Sequence, residues 1–360
     1  MNRFEELRER KEITEKGLKD DLLNIHLLSN EVLRVKQIAS NSSEIVESLH
    51  DNFNEVTKLD NKDKAILFLA TALQCVRQYI FDNSKFRITD VQGDLFIKGP
   101  AKKVIPKSMQ EILLGSVPYD AISKDSTFKE NFDNISTGLS GITHRYRTLG
   151  HDPVMGWIFG PTNILTDSLT KSDIITTYAV NNMKIHSLYP KGTLGAVTDT
   201  MVITKENPKL LMAAIAKQAI HFGADYFTKQ GLPIPFMGTL TPEAAKFTMM
   251  KCNIDTYSIT RGIVLSTLID TIISGIHQLF YSEKEDMNIY RVKTKKIISY
   301  SNVLASGSNV IYVALSKDMK KMDIGGMIKT INCIVTDIKF RKEIEQEFIS
   351  KELYRIIINE

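Results

Sequence analysis

The run from Gly262 to Phe280, GIVLSTLIDTIISGIHQLF, limits the chain's possible folds more than any other stretch. It is long enough to cross a bilayer, which takes about 20 apolar residues. Asp270 and His277 interrupt it, and ionisable groups inside a span are costly. The expectation is a buried helix of a soluble bundle, with interfacial membrane contact left open. Lys62–Phe81, KDKAILFLATALQCVRQYIF, repeats its apolar residues at three-to-four spacing and also reads as a buried helix. Residues 1 to 60 read as long amphipathic helices carrying Leu22, Leu23, Leu27 and Leu28, a face that permits self-association into a homo-oligomer. Ile297–Leu315 is rich in small residues, and the end of the chain reads as one or two further helices. The expected fold is mainly α, a multi-helix bundle. A short irregular or β-hairpin crossover is expected near residues 84–106, where β-type residues gather around Gly93, Gly99 and Pro100. That crossover divides an N-terminal helical region, residues 1–83, from a main helical domain, residues 107–360.

A formal net charge of +4 over 360 residues is too small to argue for nucleic acid, and none is expected as a partner. Cys75, Cys252 and Cys333 are scattered, with no CxxC, which argues against a disulfide framework and suits a reducing cytoplasm. The charged start MNRFEELRERKE has no apolar signal-peptide core. Frequent Lys, Ile and Asn hint at an A/T-rich bacterial or mobile-element genome.

Two stretches concentrate the side chains that carry chemistry. Ser140–Pro161, SGITHRYRTLGHDPVMGWIFGP, holds His144, Arg145, His151 and Asp152. Gly150 reads there as a left-handed helix stop, and Asp152-Pro153 as an N-cap with a first-turn proline. Ala219–Pro235, AIHFGADYFTKQGLPIP, holds His221 and Asp225 four residues apart, on one face of a helix that starts at Asn207-Pro208 and stops at Gly231. His144, His151, Asp152, His221 and Asp225 are the candidate metal ligands. Imidazole and carboxylate together suit a divalent ion, with zinc or manganese the first expectation. Asp152 and Arg145 are the candidate catalytic groups, Arg145 as a bidentate phosphate binder. Asp270 and His277, seven residues apart, and the loop residues His186 and Asp199 are weaker candidates. Residues 181–200 read as a polar loop.

HRYRTLGHD followed by IHFGADYFTKQGLPIPF resembles the LexA-regulated, membrane-bound metal-dependent hydrolases, with an HRG-x-THS type motif and a later H-x3-D-x2-T-x2-G-[IV]-P type motif. His144-Arg145 matches the first; His221, Asp225, Thr228, Gly231, Leu232 and Pro233 match the second. His151-Asp152 stands where a THS would fall. The order of His and Asp is also loosely similar to that of HD-domain phosphohydrolases. The resemblance covers roughly residues 140–235. It implies metal-dependent hydrolysis of a small-molecule or lipid phosphoester; the expected setting is cytoplasmic, with contact at the membrane surface left open. The alternative class is a non-enzymatic helical protein that binds a partner or a membrane surface, as in a phage or mobile-element conflict system.

Overall fold

The computed structural model describes residues 3–80, 87–121, 127–130, 133–141 and 143–358. Fourteen α-helices and five short strands occur among them, so the chain is mainly helical. It divides into two compact units. One comprises Met1–Ala65, His277–Ile297 and Ile334–Glu360; the other comprises Ile66–Ile276 and Ile298–Cys333.

The first unit holds α1 (Arg3–Ser40), α2 (Ser42–Val56) and the first residues of α3 (Asn61–Ile80). The expected division at residues 84–106 coincides with neither unit's limits. The reason is packing: Phe53 of α2 closes its core against Ile289, Val292 and Ile344, from the other end of the chain. His277 belongs to this unit. Its Nε2 lies 2.9 Å from Asp63 Oδ1, and its ring stacks on Tyr290 with centroids 4.3 Å apart. Leu22, Leu23, Leu27 and Leu28 of α1 are all exposed.

The second unit continues α3 and adds α4 (Asp90–Val104) and α5 (Lys107–Leu114). The segment read as a β-type crossover is therefore mostly helix. Its residues 84–86 lie outside the described set, and Ile88 makes one parallel bridge to Thr228. Thr89 sets the start of α4. Its hydroxyl accepts from Gln92 N–H at 3.3 Å, and Gln92 Oε1 accepts from Thr89 N–H at 2.9 Å. This is a reciprocal capping box, and T-x-x-Q was its signal in the sequence. Thr89→Ala is expected to cost about 1 kcal/mol, read as a lower urea midpoint.

The β structure lies further on. β1 (Thr127–Glu130) pairs with β2 (Asp133–Ser136). β3 (Ser168–Thr170), β4 (Thr177–Asn181) and β5 (Lys184–Leu188) form an antiparallel sheet in that order. Asn182 and Met183 join β4 to β5 with φ of 48° and 60°. Positive φ at both central residues suits the right-handed strand twist. Without a Gly the pair gives no hairpin signal, and residues 181–200, expected as a polar loop, instead hold β5 and the first turns of the helix Gly192–Glu206. Leu169, Tyr178, Val180 and Ile185 pack with Val117, Tyr119 and Leu139 into one apolar core. Between β2 and β3 lie α6 (His144–Arg147) and α7 (Gly156–Leu165). After the sheet come α8 (Gly192–Glu206) and α9 (Pro208–Tyr226). α9 starts as expected, with Asn207 Oδ1 accepting from Lys209 N–H at 3.2 Å.

α10 (Met237–Leu240) and α11 (Pro242–Lys246) lead to α12 (Thr256–Gln278), α13 (Met287–Ser316) and α14 (Ile324–Ile358). The apolar run that begins at Gly262 lies in α12. It is not the buried helix expected: only 22% of its most apolar window is buried. It is also the one described helix long and apolar enough to cross a membrane.

Candidate metal centre

The candidate residues come from four short pieces of the second unit. Asp120 ends a 3-10 turn, Pro118–Asp120. His144 and Arg145 open α6. His151 ends a second 3-10 turn, Leu149–His151, whose carbonyl at Gly150 accepts from Gln218 Nε2 at 2.8 Å. His221 and Asp225 project from successive turns of α9.

Five donor atoms form two groups that share His151: Asp120, His144 and His151, and His151, His221 and Asp225. His151 Nε2 is 2.9 Å from Asp120 Oδ1, 3.4 Å from His221 Nε2 and 3.6 Å from Asp225 Oδ2. His221 Nε2 is 3.0 Å from Asp225 Oδ2 and 3.5 Å from Asp120 Oδ1. His144 Nε2 is 3.8 Å from Asp120 Oδ1. Ligands about 2.1 Å from one ion sit about 3.0–3.4 Å from each other in tetrahedral or octahedral arrangements. The observed separations bracket that range.

The outer hydrogen bonds choose the tautomers. His144 Nδ1 lies 3.1 Å from the Ser140 carbonyl, which can only accept, so Nδ1 carries the proton. Thr148 Oγ1 donates its own proton to the His144 carbonyl at 2.8 Å. It therefore accepts from His151 Nδ1–H at 2.7 Å. Both rings then turn an Nε2 lone pair inward. His151 is 0% exposed, and burial pushes its pKa down to about 3, which keeps it neutral. A neutral Nε2 lone pair held 2.9 Å from a carboxylate oxygen needs a cation beside both, a place that protonated His221 fills and that an ion displacing its proton would fill. The donors thus have the spacing and the chemistry to hold a metal ion. Thr148→Val removes the group that orients His151. It is expected to weaken metal affinity about 10–100-fold in a chelator competition titration.

Electrostatics favour positive charge among these donors. Burial opposes ionisation of Asp120, but the charge on His221 outweighs it and holds the carboxyl below its usual range. Burial likewise opposes the charge on Asp225, and His221 and Arg145 overcome it. Burial lowers His144. For His221, burial is outweighed by Asp120 and Asp225, which raise its pKa. Arg145 is buried and ion-paired with Asp225. Protonated His221 and Arg145 balance the two carboxylates, and an ion bound there would take the place of the His221 proton. Arg145 also lines a cavity of about 490 Å³ with Tyr146, Lys229, Met249, Met250 and Lys320.

His144, His151, His221 and Asp225 are therefore brought together, and Asp152 is not. Its Oδ1 accepts from Val154 N–H and Met155 N–H, both at 2.9 Å, and its Oδ2 accepts from Phe236 N–H at 2.6 Å. The carboxylate is consumed by turning the chain, as its place before a proline foretold. Gly150 is likewise no helix stop: it lies in a 3-10 turn against Tyr119. Asp120 was missed. It follows a Val-Pro-Tyr turn with no His or Asp at helical spacing, and only the meeting of its turn with α6 and α9 gives it a role. The weaker candidates lie elsewhere. Asp270 accepts from Gln74 and Asn302, Asp199 accepts from Tyr189 Oη, and His186 is exposed on β5.

No family model, curated protein or solved structure matches this chain.

Proposed function

We propose that this chain is a metal-dependent hydrolase acting on a phosphoester. Two donor groups that share His151, Asp120 with His144 and His221 with Asp225, carry the reading, and the inward lone pairs of His144 and His151 support it. Three imidazoles with two carboxylates suit zinc, manganese or iron. An ion bound there supplies a water of lowered pKa and stabilises charge on a phosphoryl oxygen.

The chain's own groups do the rest. Asp225 ties the cluster to Arg145, which also lines the cavity and offers an anion there its guanidinium. Lys229 and Lys320 add positive charge along that cavity, while Tyr146, Met249 and Met250 offer apolar contact to an ester group. Asp120, with 28% of its side chain exposed, marks the open side of the ligand set.

The test is turnover of p-nitrophenyl phosphate and bis(p-nitrophenyl) phosphate by untagged protein. Activity is expected to vanish with a chelator and return with zinc or manganese. Arg145→Gln is expected to lower kcat/KM about 10²-fold with the ion retained. A bound ion with no turnover of either ester would favour a second reading, a structural centre; the complete burial of His151 is the observation on its side.

A further inference from the structure

The second unit has its polarity reversed across four helices. Phe68 of α3, Val264 and Leu268 of α12, Val310 and Ile311 of α13 and Ile331 of α14 are all exposed. Exposed positions of α12 between Thr260 and Phe280 carry no charged residue, and α13 has none at all across the twenty residues Ile297–Ser316. At 1.5 Å per residue that stretch is about 30 Å long, the thickness of a bilayer's hydrocarbon core.

The polar groups are inside. Asp270 Oδ1 of α12 accepts from Gln74 Nε2 of α3 at 2.9 Å and from Asn302 Nδ2 of α13 at 2.8 Å. Its Oδ2 lies 3.2 Å from Lys329 Nζ of α14. Ser266 Oγ donates to Asn302 Oδ1 at 2.9 Å, and Arg77 Nε donates to Gln74 Oε1 at 3.0 Å. One connected network thus joins all four helices. A helix at a soluble protein's surface turns its apolar stripe inward and its charges to water. The opposite arrangement suits lipid, where interhelical hydrogen bonds and small residues hold helices together and ionisable groups face the bundle interior. Small residues are at the contact: a Cβ on Gly262 of α12 would lie 2.9 Å from Gly325 Cα of α14.

We propose that these segments of α3, α12, α13 and α14 lie within a lipid bilayer, with the apolar belt facing acyl chains. Charge agrees with this occupant. Arg291 and Lys295 precede the uncharged stretch of α13, and Lys317 and Lys320 follow it, where anionic headgroups complement them. The belt stands independently of the metal reading, because none of its residues is a proposed ligand.

The test uses the full chain. Its membrane fraction is expected to resist alkaline carbonate and high salt and to yield the protein only to detergent. Trp157 is the only tryptophan, so Trp157→Phe gives a silent background. In that background Ile311→Trp, reconstituted in phosphatidylcholine–phosphatidylglycerol vesicles, is expected to lose most of its emission to lipids brominated on the acyl chain. Lys184→Trp, on β5, is expected to keep its emission. Release by carbonate, a detergent-free soluble oligomer, or equal quenching at both positions would overturn the proposal.

Discussion

Untagged protein is expected to carry about one equivalent of a transition metal, and His221→Ala is expected to carry almost none. His221 Nε2 faces three other donors within 3.5 Å, so its loss opens the middle of the set. Asp152→Ala is the informative contrast. Asp152 caps the turn before α7 and gives the metal no oxygen, so its loss is expected to leave metal content unchanged. The cost is lost capping, about 1 kcal/mol, seen as a lower unfolding midpoint. Metal analysis with a parallel urea titration separates the two effects. Equal loss of metal in both variants would sink the assignment of ligands made here.

The second large effect concerns the pair Arg87–Asp255. Both side chains are 3% exposed, and the guanidinium meets the carboxylate through two of its nitrogens. Asp255 Oδ1 also accepts from Ser258 N–H at 2.9 Å at the start of α12. Asp255→Ala leaves a buried guanidinium without its anion and removes that acceptor. Breaking such a pair from one side costs about 3–5 kcal/mol. The double variant Arg87→Met with Asp255→Asn removes the charge and keeps an acceptor, so it is expected to be the less destabilised of the two. A cost below about 1 kcal/mol for Asp255→Ala would show that water reaches the pair. Gly231 bears on the same contact. Its φ is +63°, and a Cβ there would lie 1.7 Å from Asp255 Oδ2. The glycine read as a helix stop actually follows α9 by several residues and makes room for this carboxylate.

Local rules were legible where a residue acts on its own neighbours. Asn207-Pro208 started α9 because an Asn oxygen and a fixed φ need nothing from the rest of the chain. His221 and Asp225 share a face because helical spacing guarantees it. The T-x-x-Q at Thr89 obeys the same kind of rule and was outweighed by β-type residues nearby. The Asn182-Met183 turn could not be read, since its left-handed backbone is supported by the paired strands and not by a glycine.

The sequence by itself determined a helical chain, the Asn207 cap that starts α9, and four of the five grouped donors. Only the tertiary structure decided that Asp120 joins them and Asp152 does not, because convergence depends on how distant turns meet. Only the tertiary structure decided which side of each bundle helix faces out. An apolar stripe at helical spacing is the same string of letters whether it packs inward or faces outward, and Asp270 turned inward to Gln74, Asn302 and Lys329 is what distinguishes the two.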